Sequence, residues 1–228
     1  MRICAGILSL GLALFHPPAS AQCAVDTSTA RNADGSEMLL AVGHCDGDST
    51  RTISVHYRGS ALEPYRRVLD IGQDTAEAPL GGAALLDVDG DGEHEMELRG
   101  MCGAGPNCEG SIYRLNRDRA DMFLFFSGGY ARLAYVDGHL VESGRSSCCS
   151  WEHHVFRPHS AFEPVEESEM EYRVIVGMSI RADADDDTTC TFLDRQGRIV
   201  LPQSQDLLQL CEIYGADYVL AQPDALPR

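Results

Sequence analysis

Residues 122–136 constrain the fold of this chain more than any other stretch. Met122-Phe-Leu-Phe-Phe126 and Tyr130-Ala-Arg-Leu-Ala-Tyr-Val136 carry the aromatic and β-branched side chains that suit a pleated, half-buried surface. Between them stands Ser127-Gly-Gly-Tyr130, and glycine supplies the positive φ that a tight reversal needs. The spacing predicts a β-hairpin whose tip is Ser127, Gly128, Gly129 and Tyr130. Its two glycines leave Ser127 and Tyr130 as the functional side chains, thin enough to enter a cleft on another protein.

The same grammar recurs along the chain. Residues 52–57 alternate apolar and polar as a half-buried strand does. Residues 38–42, 67–71, 83–87, 95–98, 111–115, 151–156, 172–180, 189–193 and 198–201 read as further short strands. Asp137-Gly138 reads as a two-residue turn into His139-Leu-Val-Glu142. Apart from residues 38–42, the 22–50 region has no sustained period and is expected to be loose. Residues 143–151 read as a loop and 158–169 as an exposed connection. Residues 206–214, followed by Gly215, are predicted to form a helix. Many short strands at regular spacing make an antiparallel all-β domain over 22–228, either an incomplete β-propeller or a β-sandwich, with one short C-terminal helix.

Arg2, the apolar run 7–15, Pro17-Pro18 and Ala19-Ser20-Ala21 have the form of a secretory leader over residues 1–21, cleaved before Gln22. The run is too short for a permanent membrane helix, and no later stretch is long and apolar enough for one. Gln22 is a poor residue before a lipidated cysteine at Cys23, so soluble export to the periplasm is the expectation. Cleavage removes Cys4 and leaves Cys23, Cys45, Cys102, Cys108, Cys148, Cys149, Cys190 and Cys211, an even set that argues for disulfides in an oxidising compartment. Local pairs such as Cys102–Cys108 and Cys190–Cys211 suggest themselves, but spacing does not decide connectivity. Cys148 and Cys149 could bridge to each other or to two different partners; adjacent Cα atoms favour the second.

A formal charge of −17 argues against nucleic acid and anionic lipid as partners and favours a basic protein or a cation. There is no Gly-x-Ser-x-Gly elbow, phosphate-binding loop or His-Glu-x-x-His helix, so the chain is not expected to be an enzyme. Cys148-Cys149 with Trp151, His153, His154 and His159 could suggest zinc. A disulfide-pinned loop with Trp151 in the core fits an exported chain better.

The most specific motif is Asp87-Val-Asp89-Gly-Asp91-Gly92-Glu-His-Glu95. Carboxylates at positions one, three, five and nine, with glycine at six, suit a hard cation that takes oxygen ligands. An EF-hand would need an acid at position twelve, where Leu98 stands, and the flanks read as strands. The loop resembles the calcium loops of FG-GAP-type β-propeller repeats. That resemblance implies Ca²⁺ held by Asp87, Asp89, Asp91 and Glu95 side chains and the Glu93 carbonyl.

Ser127-Gly-Gly-Tyr130 resembles the Ser-Gly-x-Tyr loop of bacterial periplasmic inhibitors of invertebrate-type lysozyme. More closely, residues 85–98 and 125–156 resemble periplasmic immunity proteins that guard against peptidoglycan-hydrolase effectors of antibacterial type IV secretion. The matching features are the Asp-rich loop, Ser127-Gly-Gly-Tyr130, Asp137-Gly138 with Leu140-Val-Glu142, and Ser147-Cys-Cys-Ser-Trp151-Glu-His153. The resemblance implies a calcium-stabilised inhibitor of a lysozyme-like hydrolase, with Ser127 and Tyr130 offered to the paired carboxyl groups of a glycosidase cleft. The alternative is a calcium-dependent cell-envelope or glycan-binding module without an enzyme partner.

Overall fold

Burial alternates along β2 (Glu37–Cys45) and β3 (Thr50–Arg58), as the period-two pattern of a strand requires. The computed structural model describes residues 23–75, 82–103, 105–178 and 188–223; the expected leader, the end of the 172–180 strand and the acidic run 183–187 lie outside them. Three sheets contain all the described strands. The first is a four-stranded meander of β1 (Cys23–Arg31), β2, β3 and β4 (Arg66–Asp74). The second is a meander of β5 (Ala83–Leu86), β6 (Glu95–Cys102), β7 (Cys108–Asn116) and β8 (Asp121–Tyr130). The third has the order β14-β13-β12-β11-β10-β9, comprising β9 (Arg132–Val136), β10 (His139–Ser147), β11 (Ser150–Phe156), β12 (Met170–Met178), β13 (Thr188–Leu193) and β14 (Ile199–Val200). β15 (Tyr218–Leu220) pairs parallel with β13, and the other pairings are antiparallel. The fold is all-β, and no sheet closes into a barrel.

The middle sheet is covered on both faces. Met96 and Met122 pack with Met38, Ile53 and Val55 of the first sheet. Ile112, Phe125, Phe126 and Tyr130 pack with Leu140 and Phe156 of the third. A doubly covered sheet explains why Met122 and Phe123 are both apolar, Met122 packing toward the first sheet and Phe123 toward the third, whereas Leu124 is 42% exposed. A bulge between the Ile112–Phe126 and Tyr113–Leu124 pairs lets Phe125 and Phe126 join the same layer. The far face of the third sheet is closed by Leu207, Leu210 and Cys211 of the segment Asp206–Tyr214. That segment is a 3₁₀ helix rather than an α-helix, and the Cys190–Cys211 disulfide fastens it to β13.

Several expectations are corrected. The stretch 122–136 is not a hairpin: β8 runs unbroken through Ser127-Gly-Gly to Tyr130, and β9 pairs with β10 in another sheet. The glycines do not turn the chain because β7 pairs with them throughout, Gly110 opposite Gly128 and Cys108 opposite Tyr130. Residues 23–31 form a full strand rather than loose structure. It bonds only to β2, and its side chains stay exposed, so it shows no burial period. The expected loop 143–151 is mostly strand, with β10 reaching Ser147 and β11 beginning at Ser150. Asp137 and Gly138, at φ 48° and 74°, form the expected two-residue turn. Cys23–Cys45, Cys102–Cys108 and Cys190–Cys211 are bonded, and Cys148 and Cys149 are thiols.

Candidate functional site

The 87–95 loop joins β5 to β6 and is ordered by its own aspartates. Asp87 accepts from the Gly90 and Gly92 amides at 2.7 and 3.1 Å, and Asp91 accepts from Glu93 N at 2.7 Å. Gly90 and Gly92 have φ of 76° and 86°, the left-handed region that favours glycine. Carboxylate oxygens of Asp87, Asp89 and Glu95 lie within 4.8 Å of one another. Burial pushes the Glu95 carboxyl up to about 7, although Val88 N donates to it and Arg114 stands beside it. Arg114 is buried, ion-paired to Asp89 and 3.1 Å from Glu95 Oε1, with its guanidinium 3.9 Å from the Phe125 ring centroid.

Of the five predicted ligands, the structure therefore gathers Asp87, Asp89 and Glu95. The Asp91 carboxylate is outside this group. The Glu93 side chain turns to Arg117 at 2.7 Å, leaving its main chain to the loop. Three acids facing one guanidinium keep an excess of negative charge, and an all-oxygen donor set suits a hard divalent cation. The loop is also anchored to the β1–β2 turn. Asn32 Oδ1 accepts from His94 N at 3.0 Å, and Gly92 O accepts from Ala33 N at 2.8 Å.

Tyr130 does not protrude. It is 0 % exposed, its hydroxyl donates to Glu97 Oε1 at 3.0 Å, and the Arg99 guanidinium lies 4.5 Å from its ring centroid. Burial pushes its phenol well above the usual range, with Glu97 acting in the same direction. A Cβ on Gly110 would stand 2.3 Å from the Tyr130 ring, so the missing side chain of β7 makes room for it. Ser127 and Gly129 face outward. Gly129 N donates to Glu142 Oε1 at 2.8 Å, and a Cβ on Gly128 would meet that same oxygen at 2.3 Å.

Glu142 in turn leads to His154, whose Nδ1 is 3.0 Å from Glu142 Oε2 and whose Nε2 is 3.0 Å from Glu152 Oε1. Hydrogen bonding to Glu142, reinforced by Glu152, raises the proton affinity of His154. Ser127, Glu142, Glu152, His154 and Arg173 line one open groove of about 460 Å³. A second cleft of about 730 Å³ is lined by Asp87, Asp89, Glu97, Arg99, Arg132 and Tyr135.

No protein-family model and no curated protein matches this sequence. A solved structure described as a Xanthomonas type IV secretion system related protein is similar over 78% of this chain and 93% of its own, at 10% identity and a TM-score of 0.42. Likeness at that level carries no argument about function.

The Cys148–His159 constellation is dispersed. His153 and His154 point to opposite faces of β11, as adjacent strand residues must. His153 is buried against Ser143 Oγ at 2.8 Å. Trp151 is only half-buried and stands outside the core clusters, and no disulfide pins its loop. Sequence reasoning gave Glu97 and Arg114 no role in a site, named Glu142 only within the matching Leu140-Val-Glu142 feature and weighed His154 only for zinc. Had Cys148-Cys149 been read as a hairpin turn, counting back from it would have placed Glu142 opposite His154 to within the one-residue bulge near Arg145.

Proposed function

We propose that the chain is an exported inhibitor of a lysozyme-like peptidoglycan hydrolase, an immunity protein, with its fold steadied by Ca²⁺ at the 87–95 loop. The enzyme is met by the surface around Ser127 and Gly129, and Tyr130 braces that surface from behind. One observation carries this reading. Motifs separated in sequence that bear the resemblance converge: Gly129 bonds Glu142 of the Leu140-Val-Glu142 motif, and His154 bonds both Glu142 and Glu152. The outward face offers a Ser127 hydroxyl and close backbone approach, which a cleft with two catalytic carboxyl groups can accept. The charge of −17 favours encounter with a basic enzyme. In the calcium loop, Asp87, Asp89 and Glu95 would hold the ion by side chain; its contribution is to tie β5 to β6.

The test is residual muramidase activity of basic lysozyme-like hydrolases titrated with the mature protein. Gly129→Trp places its side chain where a Cβ meets nothing within 4 Å. It should weaken inhibition at least ~10-fold, about 1.4 kcal/mol, with the melting temperature unchanged. If the native protein inhibits no such hydrolase but binds peptidoglycan fragments in a calcium-dependent way, the inhibitor reading fails. A glycan-binding role for the 730 Å³ cleft beside Asp87 and Asp89 then replaces it.

A further inference from the structure

Two hairpins of the third sheet reverse in two residues each, and they do so differently. At Asp137-Gly138 both residues have positive φ, the backbone form that matches the twist of the flanking strands. At the β10–β11 reversal Ser147 pairs with Ser150, so Cys148 and Cys149 fill both central positions. Neither is among the described residues with positive φ. This turn lacks the glycine or asparagine chemistry that usually makes such a reversal, and it carries two sulfurs instead.

Those sulfurs are 2.6 Å apart, closer than two unbonded sulfur atoms ordinarily approach. The other six cysteines of the described chain are already bonded in three disulfides, so neither thiol has another described partner to reach. Both sit at the surface, Cys148 exposed and Cys149 half-buried. The surroundings hold them in place: Arg145 Nε donates to Ser147 O at 3.2 Å, Cys149 N donates to Ser147 Oγ at 3.2 Å, and Ser147 Oγ is 2.6 Å from Ser150 Oγ. The expectation that these cysteines bridge to two different partners is thereby reversed.

We propose that Cys148 and Cys149 are a thiol–disulfide exchange site that closes into a vicinal disulfide across the β10–β11 turn. One thiolate attacks a donor disulfide, of the glutathione or dithiol-oxidase class, and expels one donor sulfur. The second thiolate then attacks the mixed disulfide and expels the other. One S–S bond forms as one breaks, and the donor leaves as two thiols carrying two electrons and two protons. A bridge between neighbouring residues closes an eight-membered ring that contains their shared planar peptide unit, a constraint absent from the three bridges that join separate strands or the 3₁₀ segment, so it reopens more readily than they do. The inference is independent of the inhibitor reading.

The experiment treats the mature protein with oxidised glutathione, then alkylates it under graded dithiothreitol and maps the labelled peptides. Without reductant no cysteine should label, and the intact mass should be lower by two hydrogens than that of the three-disulfide form. Labels should then appear at Cys148 and Cys149 together, at ~10-fold less reductant than the other bridges need. In Cys148→Ser no second thiol can resolve the mixed disulfide, so Cys149 should stop as its glutathione adduct, seen as one added glutathionyl group in the intact mass, while the other six stay protected. Labelling of both cysteines after glutathione treatment overturns the proposal. So does a Cys148 or Cys149 bridge to any other cysteine, or opening of all four bridges at one reductant concentration.

Discussion

The 87–95 loop and the 127–130 segment both depend on glycine, for opposite reasons. Gly90 is needed for what the backbone does, a left-handed φ in the loop that sets the carboxylates of Asp87 and Asp89 around one point; Gly92 shares that φ, and a Cβ on it would also stand 2.6 Å from Ala33 Cβ. Gly128, and Gly110 opposite it, are needed for what is absent. A Cβ at either would lie 2.3 Å from another side chain, Glu142 or Tyr130. The first requirement is local and is written within nine residues of sequence. The second depends on strands paired from elsewhere in the chain, and in sequence it looks the same as a turn.

Breaking the packing side of this contrast should have the largest effects. Tyr130→Ala empties a buried aromatic site and strands the Glu97 hydrogen bond, so it should cost about 3–5 kcal/mol in a denaturant titration. A loss below about 1 kcal/mol would show that Tyr130 is not a core residue. Gly110→Ala drives a methyl into the Tyr130 ring and should cost roughly 1–3 kcal/mol by the same measurement.

The conformational side should respond less than Tyr130→Ala does. A chelator should lower the melting temperature by the equivalent of about 2–3 kcal/mol when the starting calcium is near 100 times its Kd. Identical melting curves with and without chelator would remove the ion from the account. Gly90→Ala, which meets nothing within 4 Å, should cost about 1–2 kcal/mol from its φ alone. The smallest effect belongs to Gly129→Ala, at open space and without positive φ, where stability should change by under about 1 kcal/mol. If Gly129→Ala proved as damaging as Gly110→Ala, the distinction between the two glycine roles would be lost.

What could be read from the sequence followed the same division. The all-β class, the Asp137-Gly138 turn and the carboxylate spacing of the 87–95 loop are short-range, and the structure contains each of them. Ser127-Gly-Gly-Tyr130 was misread because two glycines between apolar runs meet the local conditions for a reversal. Only the pairing with Gly110 shows that they lie in a continuous strand. β1 escaped notice because an edge strand with exposed side chains lacks the apolar alternation that marks the others. The Glu142–His154–Glu152 cluster needs the β10–β11 register, which was hidden by a two-cysteine turn without turn-forming residues.

The buried Arg114 guanidinium gives the loop a resident counterion, held against Asp89 and Glu95 and braced by Phe125. Withdrawing a divalent metal would thus not leave bare like charges in a desolvated pocket. With Ca²⁺ at the proposed site, a chain built this way would assemble in a calcium-poor medium and tighten on reaching a calcium-rich one, softening rather than unravelling when the ion is scarce.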